Sequence, residues 1–159
     1  TQALIEVDPE NEAYFKQNAS TYRAELDQLH TFVNTELQQI PAERRILITA
    51  HAAFNYFGRA YAIEVRGLQG ISTLSEFGLR DRVELVDYIV EKGVKAVFVE
   101  TSVSEKNIQA IVEGCQAKGH AVTISGSLFS DAMGAANSPE GTYVGMVRSN
   151  VSTIVGALK

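Results

Sequence analysis

A histidine and two carboxylates stand out, because each is placed at or soon after the end of a short apolar run. His51 follows the run 46–50, Glu100 follows the run 96–99, and Asp131 lies in a small-residue loop after the run 122–125. Imidazole nitrogen and carboxylate oxygen are common ligands of divalent transition metals. The sequence has no HxxxH, HExxH or CxxC spacing, so any metal site must be assembled from separate loops.

Each of these residues also has a purely structural interpretation. His51 could hydrogen-bond the loops around it, and Asp131 is a residue type that favours turns and helix caps. Glu100 could accept from a backbone amide or pair with Arg66. A metal-bound imidazole commonly donates its second N–H to a carboxylate. Glu100 suits that position, because its strand is predicted to neighbour the strand of His51.

An enzyme is the alternative from another functional class. A hydrolase triad could be drawn from Ser127 or Ser130 with His51 and Asp131, but no GxSxG elbow is present. The segment 51–54 contains no glycine and so lacks the phosphate-binding patterns GxxxxGK[ST] and GxGxxG. A flavodoxin-like hydrolase or phosphotransfer domain using the same crevice stays open as the alternative function.

The first element that must position these residues is a long helix. Asp8-Pro9-Glu10 is a helix start, and Pro41 predicts an end at Ile40. Apolar residues recur between them in steps of three and four, at Phe15, Ala19, Tyr22, Leu26, Leu29, Val33, Leu37 and Ile40. About 32 helical residues span about 48 Å, whereas the radius of gyration of a compact domain of this size is about 15 Å. We therefore expect the helix to overhang, with its first half packing against something this chain lacks; a bend or break is the alternative.

After Pro41, strands alternate with helices. Strands are predicted at 46–50, 63–68, 96–99 and 122–125, and helices at 53–61, from Ser75 to Gly93, from Ser104 to Gly119, and after Ser138-Pro139-Glu140. The pattern predicts an α/β fold with a four-stranded, mainly parallel sheet of order 2-1-3-4, helices on both faces, and a long linking helix before it. Ligands of such sheets bind at the carboxyl ends of the strands near the switch point between strands one and three. His51, Glu100 and the 125–131 loop lie there.

Composition narrows the class of protein. The chain has 159 residues, of which 45% are apolar and 21% charged, which suits one globular domain and excludes intrinsic disorder. Its net charge is −5 and its basic residues are scattered, so no nucleic-acid partner is expected. The single cysteine, Cys115, shares an apolar helical face and is predicted to be a buried core thiol. His30 and His120 are predicted to be solvated.

Several segments together resemble one family. These segments are 49–57, 67–73, 98–103, 128–132 and 141–146. They are similar to segments of the solute-binding proteins of zinc and manganese ABC importers, the cluster A-I metal receptors. The resemblance runs from the first helix to the last residue, and its motifs occur in the family's order and near its spacing. It implies a binding protein and not an enzyme.

The resemblance also implies a ligand set. Members of the family have two α/β lobes joined by one long rigid helix, with the metal clamped between the lobes. The amino lobe contributes two histidines, and the carboxyl lobe a His or Glu followed by an Asp; the matching positions here are His51 and Asp131. Three histidines and one aspartate admit Zn²⁺ readily, whereas oxygen-richer sites lean toward Mn²⁺, and zinc, manganese and iron(II) all stay open. The ion is the transported ligand, and no organic cofactor is implied.

The same resemblance divides the chain. Residues 1-43 would be the long linking helix and residues 44-159 the carboxyl-terminal α/β metal-binding lobe, with the amino-terminal lobe absent. The implied function is extracytoplasmic capture of a divalent transition metal for the permease subunits of an ABC importer. The implied location is the periplasm or the outer face of the cytoplasmic membrane, either free or lipid-anchored. Two ligands alone are expected to bind the ion weakly, because such sites normally use about four.

Overall fold

The computed structural model describes residues 1–69 and 78–159. Its helices are α1 (Gln2–Val7), α2 (Glu12–Leu37), α3 (Asn55–Tyr61), α4 (Leu79–Lys92), α5 (Lys106–Ala117) and α6 (Tyr143–Leu158). Its strands are β1 (Ile46–His51), β2 (Glu64–Gln69), β3 (Ala96–Glu100) and β4 (Thr123–Leu128). Short 3₁₀ turns lie at Pro9–Asn11, Ala42–Arg44 and Pro139–Gly141. The predicted helix cap at Ser75 and most of the 67–73 segment fall outside the described residues.

The two strands that were predicted to be central are the buried ones. Every residue of β1 and of β3 is buried, as expected where both faces of a strand are covered. Successive side chains point to opposite faces. Ile46 and Ile48 therefore join the core formed with α4 and α5, whereas Leu47 joins the core formed with α2 and α6. Helices cover both faces of the strands, and the predicted α/β class is confirmed.

Strand pairing follows the predicted parallel pattern in two pairs. Ladder hydrogen bonds join β1 to β2 and β3 to β4, both in parallel. These are the outer pairs of the order 2-1-3-4. β1 and β3 are in contact, but within residues 1–69 and 78–159 they share no ladder, so the single four-stranded sheet stays a prediction at its centre. At their carboxyl ends the two strands are joined by a side chain, because the N–H of His51 donates to Oε1 of Glu100 over 2.9 Å.

The long helix is shorter than predicted at both ends. Its α-helical part begins at Glu12, because Asp8 has a non-helical backbone and Pro9–Asn11 form a 3₁₀ turn. It ends at Leu37, and the amides of residues 39 and 40 bond back to carbonyls three residues earlier. Bonds of this type tighten the last turn of a helix and satisfy its free carbonyls. Ile40 therefore lies in a turn before Pro41 and not in the helix.

The first half of α2 is more exposed than its second half, as the predicted overhang requires. α2 has 26 residues and is therefore about 39 Å long. On the predicted apolar face, Tyr22 in the first half is 44% exposed, whereas Leu29, Val33 and Leu37 in the second half are buried. The second half packs on α6 and the strands as part of one core cluster. In the part of the chain that the structure covers, no helix is long and apolar enough to cross a membrane.

The last helix also begins later than predicted. Ser138-Pro139-Glu140 start a 3₁₀ turn, and the extended backbone of Thr142 separates that turn from α6. The N-cap of α6 is Thr142, whose side chain accepts a hydrogen bond from the N–H of Gly145. Threonine is a good N-cap residue for the same reason that serine is. The Ser-Pro pair therefore marked a helical turn, but not the start of the α-helix.

Candidate metal centre

His51 is the last residue of β1, and carboxylates face both nitrogens of its buried ring. The residue is 2% exposed. Its Nε2 lies 3.0 Å from Oδ2 of Asp131, and its Nδ1 lies 2.8 Å from Oε2 of Glu100. The structure thus brings together the three residues that ended or followed three different strands in the sequence. Their meeting point is the carboxyl edge of β1, β3 and β4, where a ligand was expected.

Glu100 is the carboxylate behind the ring, and its side chain is fully buried. Its Oε1 accepts the backbone N–H of His51, so the structural interpretation as an amide partner is correct. Its Oε2 lies close to Nδ1, but the two atoms are not aligned for a hydrogen bond, and neither has another partner among the described residues. We regard this short separation as an electrostatic contact. Arg66, the other partner considered, pairs with Glu64 at 2.8 Å.

Asp131 approaches His51 from the open side of the site. Its side chain is 64% exposed, and its backbone has φ of 58°. This left-handed conformation is uncommon for residues other than glycine, although aspartate is among those that tolerate it. The strand before it is also irregular, because the register of β3 and β4 shifts between Val97 and Val99, and Gly126 has φ of 149°. A strained loop therefore carries the exposed carboxylate, and a regular strand carries the histidine.

Two further residues lie against the backbone of His51, and sequence reasoning missed both. Thr49 is buried, and its hydroxyl donates to the carbonyl of His51 over 2.8 Å. Gly67 lies in β2 beside the end of β1. A Cβ at position 67 would be 2.8 Å from the carbonyl carbon of His51 and 2.7 Å from the nitrogen of Ala52. The available signal was a glycine inside a strand pattern, which often marks a close approach of another backbone.

The serines of the hydrolase alternative are bonded elsewhere or exposed. The hydroxyl of Ser130 lies 2.7 Å from that of Ser102, and Ser130 is buried. Ser127 is exposed. Both ring nitrogens of His51 face carboxylates. The arrangement therefore gives the triad interpretation no support.

The remaining histidines lie outside this site. His30 is exposed, as predicted, and its Nδ1 lies 3.0 Å from the hydroxyl of Tyr61. The prediction for His120 is wrong: it is half-buried, and its Nε2 lies 2.6 Å from the carbonyl of Val94. The turn after α5 packs against the segment that leads into β3, which explains this contact. Across the ranges 1–69 and 78–159, no group of three or more His, Cys, Asp or Glu side chains is arranged to hold a metal ion.

Comparison with known proteins identifies the family of this chain. Residues 1–157 match the family described as ZnuA, zinc-uptake complex component A, periplasmic. The chain belongs to this ZnuA family. The resemblance stated from the sequence segments is thereby confirmed.

Two similar proteins are named for different metals. The manganese-binding lipoprotein MntA of Bacillus subtilis (strain 168) is 54% identical over 151 residues, which are 95% of this chain and 49% of that protein. The zinc-binding protein TroA of Treponema pallidum (strain Nichols) is 48% identical over 157 residues, which are 99% of this chain and 51% of that protein. The chain thus spans about half the length of these curated relatives.

Solved structures of the ZnuA family share this fold. The periplasmic zinc binding protein TroA from Treponema pallidum matches with a TM-score of 0.95 at 48% identity, over 99% of this chain and 57% of that one. A second TroA structure matches with a TM-score of 0.95 at 34% identity, over 99% of this chain and 58% of that one. The long helix and the α/β lobe are therefore a family architecture.

Proposed function

We propose that this chain is the carboxyl-terminal lobe of an extracytoplasmic receptor that captures a divalent transition metal for an ABC importer. His51 and Asp131 supply half of the metal site, and an amino-terminal lobe supplies the other half. In this proposal residues 1-43 are the linking segment and residues 44-159 the metal-binding lobe. The length of the relatives, about twice that of this chain, supports a second lobe.

The observation that carries the proposal is the separation of 3.0 Å between Nε2 of His51 and Oδ2 of Asp131. Metal–ligand bonds of about 2.0–2.2 Å, at angles between about 90° and 109°, place two ligand atoms about 2.8–3.6 Å apart. The two atoms therefore already stand at the separation that a shared ion requires. In the absence of an ion, their contact is a hydrogen bond in which Nε2–H donates to the carboxylate, and a bound ion would take the place of that proton.

In this proposal, Glu100 determines which nitrogen of the His51 ring carries the proton, and so which nitrogen can bind the metal. Nε2 can coordinate a metal only if the ring proton is on Nδ1. Nδ1 faces Oε2 of Glu100 at 2.8 Å, so a negative charge stabilises the proton at that nitrogen. Carboxylates in this position orient ligating histidines and raise their basicity. Glu100 thus acts on the metal through His51 and does not itself contact the ion.

Zinc and manganese are the candidate ions, and the receptor would work in the periplasm or at the outer face of the cytoplasmic membrane. The names of the relatives support both metals and both locations, since MntA is a manganese-binding lipoprotein and the solved TroA is periplasmic. Two ligand atoms from this lobe do not choose between the ions, because geometry and ligand type across the whole site set selectivity.

Thermal unfolding with excess Zn²⁺ or Mn²⁺ tests the proposal. A ligand at a hundred times its dissociation constant stabilises the folded state by about 2.7 kcal/mol. We expect the midpoint to rise in the parent chain and in the His30→Ala control, and to stay unchanged in His51→Ala and Asp131→Ala. His30 is a matched control, because it is an exposed histidine outside the site.

The same titration on a chain extended to the length of its relatives separates a weak site from a wrong one. A shift that appears only in the extended chain, and disappears with His51→Ala, would support a half-site too weak to act alone. No shift in either chain would refute the proposed function.

A further inference from the structure

The buried side chain of Asn150 is bonded to the segment that carries Asp131. Asn150 lies on α6 and is 6% exposed. Its Oδ1 accepts the backbone N–H of Phe129 over 2.9 Å, and its Nδ2 donates to the backbone carbonyl of Phe129 over 2.9 Å. One side-chain amide thus satisfies both main-chain groups of a single residue.

This pair of hydrogen bonds replaces pairing that the strand no longer provides. β4 ends at Leu128, so Phe129 is the first residue beyond the strand. Buried main-chain groups require partners, and an unpaired one costs as much as a lost hydrogen bond. The amide of Asn150 presents an acceptor and a donor side by side, as a neighbouring strand would. It therefore holds the chain in place one residue beyond the strand.

The segment held in this way ends at the proposed ligand. Ser130 follows Phe129, and its hydroxyl lies 2.7 Å from that of Ser102 in the loop after Glu100. Asp131 comes next, with the left-handed φ of 58°. A residue in that conformation keeps it only where the surrounding structure fixes the chain. The contacts of Phe129 and Ser130 hold the chain immediately before Asp131.

We propose that Asn150 is a positioning residue for the metal site, because it fixes Phe129 and so sets the carboxylate of Asp131 against His51. The inference rests on the proposed function in one respect, namely that Asp131 is a ligand. Without the amide of Asn150, the 129–131 segment samples other conformations, and the carboxylate spends less time 3.0 Å from Nε2. The expected result is a loss of metal affinity of about 10-fold to 100-fold, as for other residues that orient ligands.

Asn150→Ala and Val151→Ala form the matched pair that tests this inference. Val151 is the next residue on α6, is fully buried, and belongs to the core formed with α2. Its truncation removes packing but no hydrogen bond to the loop. Zn²⁺ affinity would be measured by titration for both variants, together with the free energy of unfolding in urea. Asn150→Ser is the milder variant if Asn150→Ala does not fold, because its shorter side chain cannot reach both groups of Phe129.

A drop in Zn²⁺ affinity of about 10-fold or more for the Asn150 variant, and little change for Val151→Ala, would support the inference. Equal affinities for the two variants would overturn it. A readout without metal separates this result from failure of the proposed function: the ¹⁵N chemical shift of Nε2 of His51 reports its contact with Asp131. If the parent chain binds no metal, a shift changed by Asn150→Ala and not by Val151→Ala still supports positioning, and an unchanged shift refutes it.

Discussion

Replacing Glu100 with glutamine tests the chemistry of the site with the smallest change in shape. The oxygen of the new side-chain amide can still accept the backbone N–H of His51, as Oε1 of Glu100 does now over 2.9 Å. The amide nitrogen then takes the place of Oε2, which lies 2.8 Å from Nδ1. An N–H group at that position disfavours a proton on Nδ1, because two donors would face each other. The ring is therefore expected to keep its proton on Nε2, the nitrogen that must bind the metal.

The size of the effect follows from the burial of the pair. Glu100 is 0% and His51 2% exposed at the side chain, so water cannot replace the lost carboxylate. Loss of such a partner typically weakens metal affinity about 10-fold to 100-fold. At a metal concentration a hundred times the parent's dissociation constant, stabilisation falls from about 2.7 kcal/mol to between about 1.4 and 0.4 kcal/mol. In a protein of this size, 1 kcal/mol changes the unfolding midpoint by about 2–4 °C. The rise in midpoint caused by the metal is therefore about 5–11 °C in the parent chain and about 1–6 °C in Glu100→Gln.

The assay is thermal unfolding with and without Zn²⁺ for the parent chain, Glu100→Gln and Glu113→Gln. Glu113 is an exposed glutamate on α5, so its variant makes the same change of charge away from the site. We expect the control to keep the full metal shift. If Glu100→Gln also keeps it, while His51→Ala abolishes it, then Glu100 does not set the form of the ring and the reasoning is wrong.

Three further predictions concern the packing of the fold. Gly67→Ala should lower the free energy of unfolding by about 1–3 kcal/mol and reduce the metal shift, because its Cβ would meet the backbone of residues 51 and 52; unchanged urea midpoints and metal shifts would contradict this. Burial raises the pKa of the Cys115 thiol, so a thiol reagent should label it slowly in native buffer and quickly in denaturant; fast native labelling would show that the core is open there. In the same urea assay, Leu37→Ala should lower the free energy of unfolding by about 2–5 kcal/mol, because Leu37 is buried. Leu4 is 55% exposed, so Leu4→Ala should lower it by less than about 0.5 kcal/mol.

The positions of His51 and Glu100, the buried half of the site, could be predicted from the sequence because they follow from the hydrophobic pattern. The largely apolar runs before His51 and Glu100 indicated two central strands, and both strands are fully buried. Parallel strands end at the same edge, so their last residues must lie close together. Together with the predicted order 2-1-3-4, which puts β1 beside β3, these facts predict that His51 and Glu100 lie close together.

The position of Asp131, the exposed half of the site, depends on backbone details that a hydrophobic pattern does not predict. Asp131 reaches His51 through a shifted register in β4, a glycine at φ of 149° and a left-handed residue. None of these follows from apolar periodicity. The sequence pattern named Asp131 as a candidate only because it follows a strand, and the family resemblance matched it to a ligand position. The limits of the long helix were missed for a similar reason: cap residues predict a helical turn, but not whether that turn is 3₁₀ or α.

Asn150 shows a signal that was present and unused. Met146, Asn150, Ile154 and Leu158 follow one another in steps of four, so the asparagine lies on the apolar face of α6. A polar residue on a buried face must find hydrogen-bond partners inside the protein. The structure supplies them at Phe129. A search for polar residues inside apolar stripes would have singled out Asn150 as a buried hydrogen-bonding residue, although not its partner.

The different exposure of the two proposed ligands explains why one lobe should bind metal weakly. His51 is buried beneath Asp131, whose carboxylate is 64% exposed, so an ion that bridges them must lie on the open side of the lobe. Two ligands fill about half of the four positions of a typical zinc site, and water would occupy the others. In the proposed receptor, a second set of ligands would approach from the amino-terminal lobe and face the carboxyl ends of the strands. The affinity gained on extending the chain to the length of its relatives measures what that second set contributes.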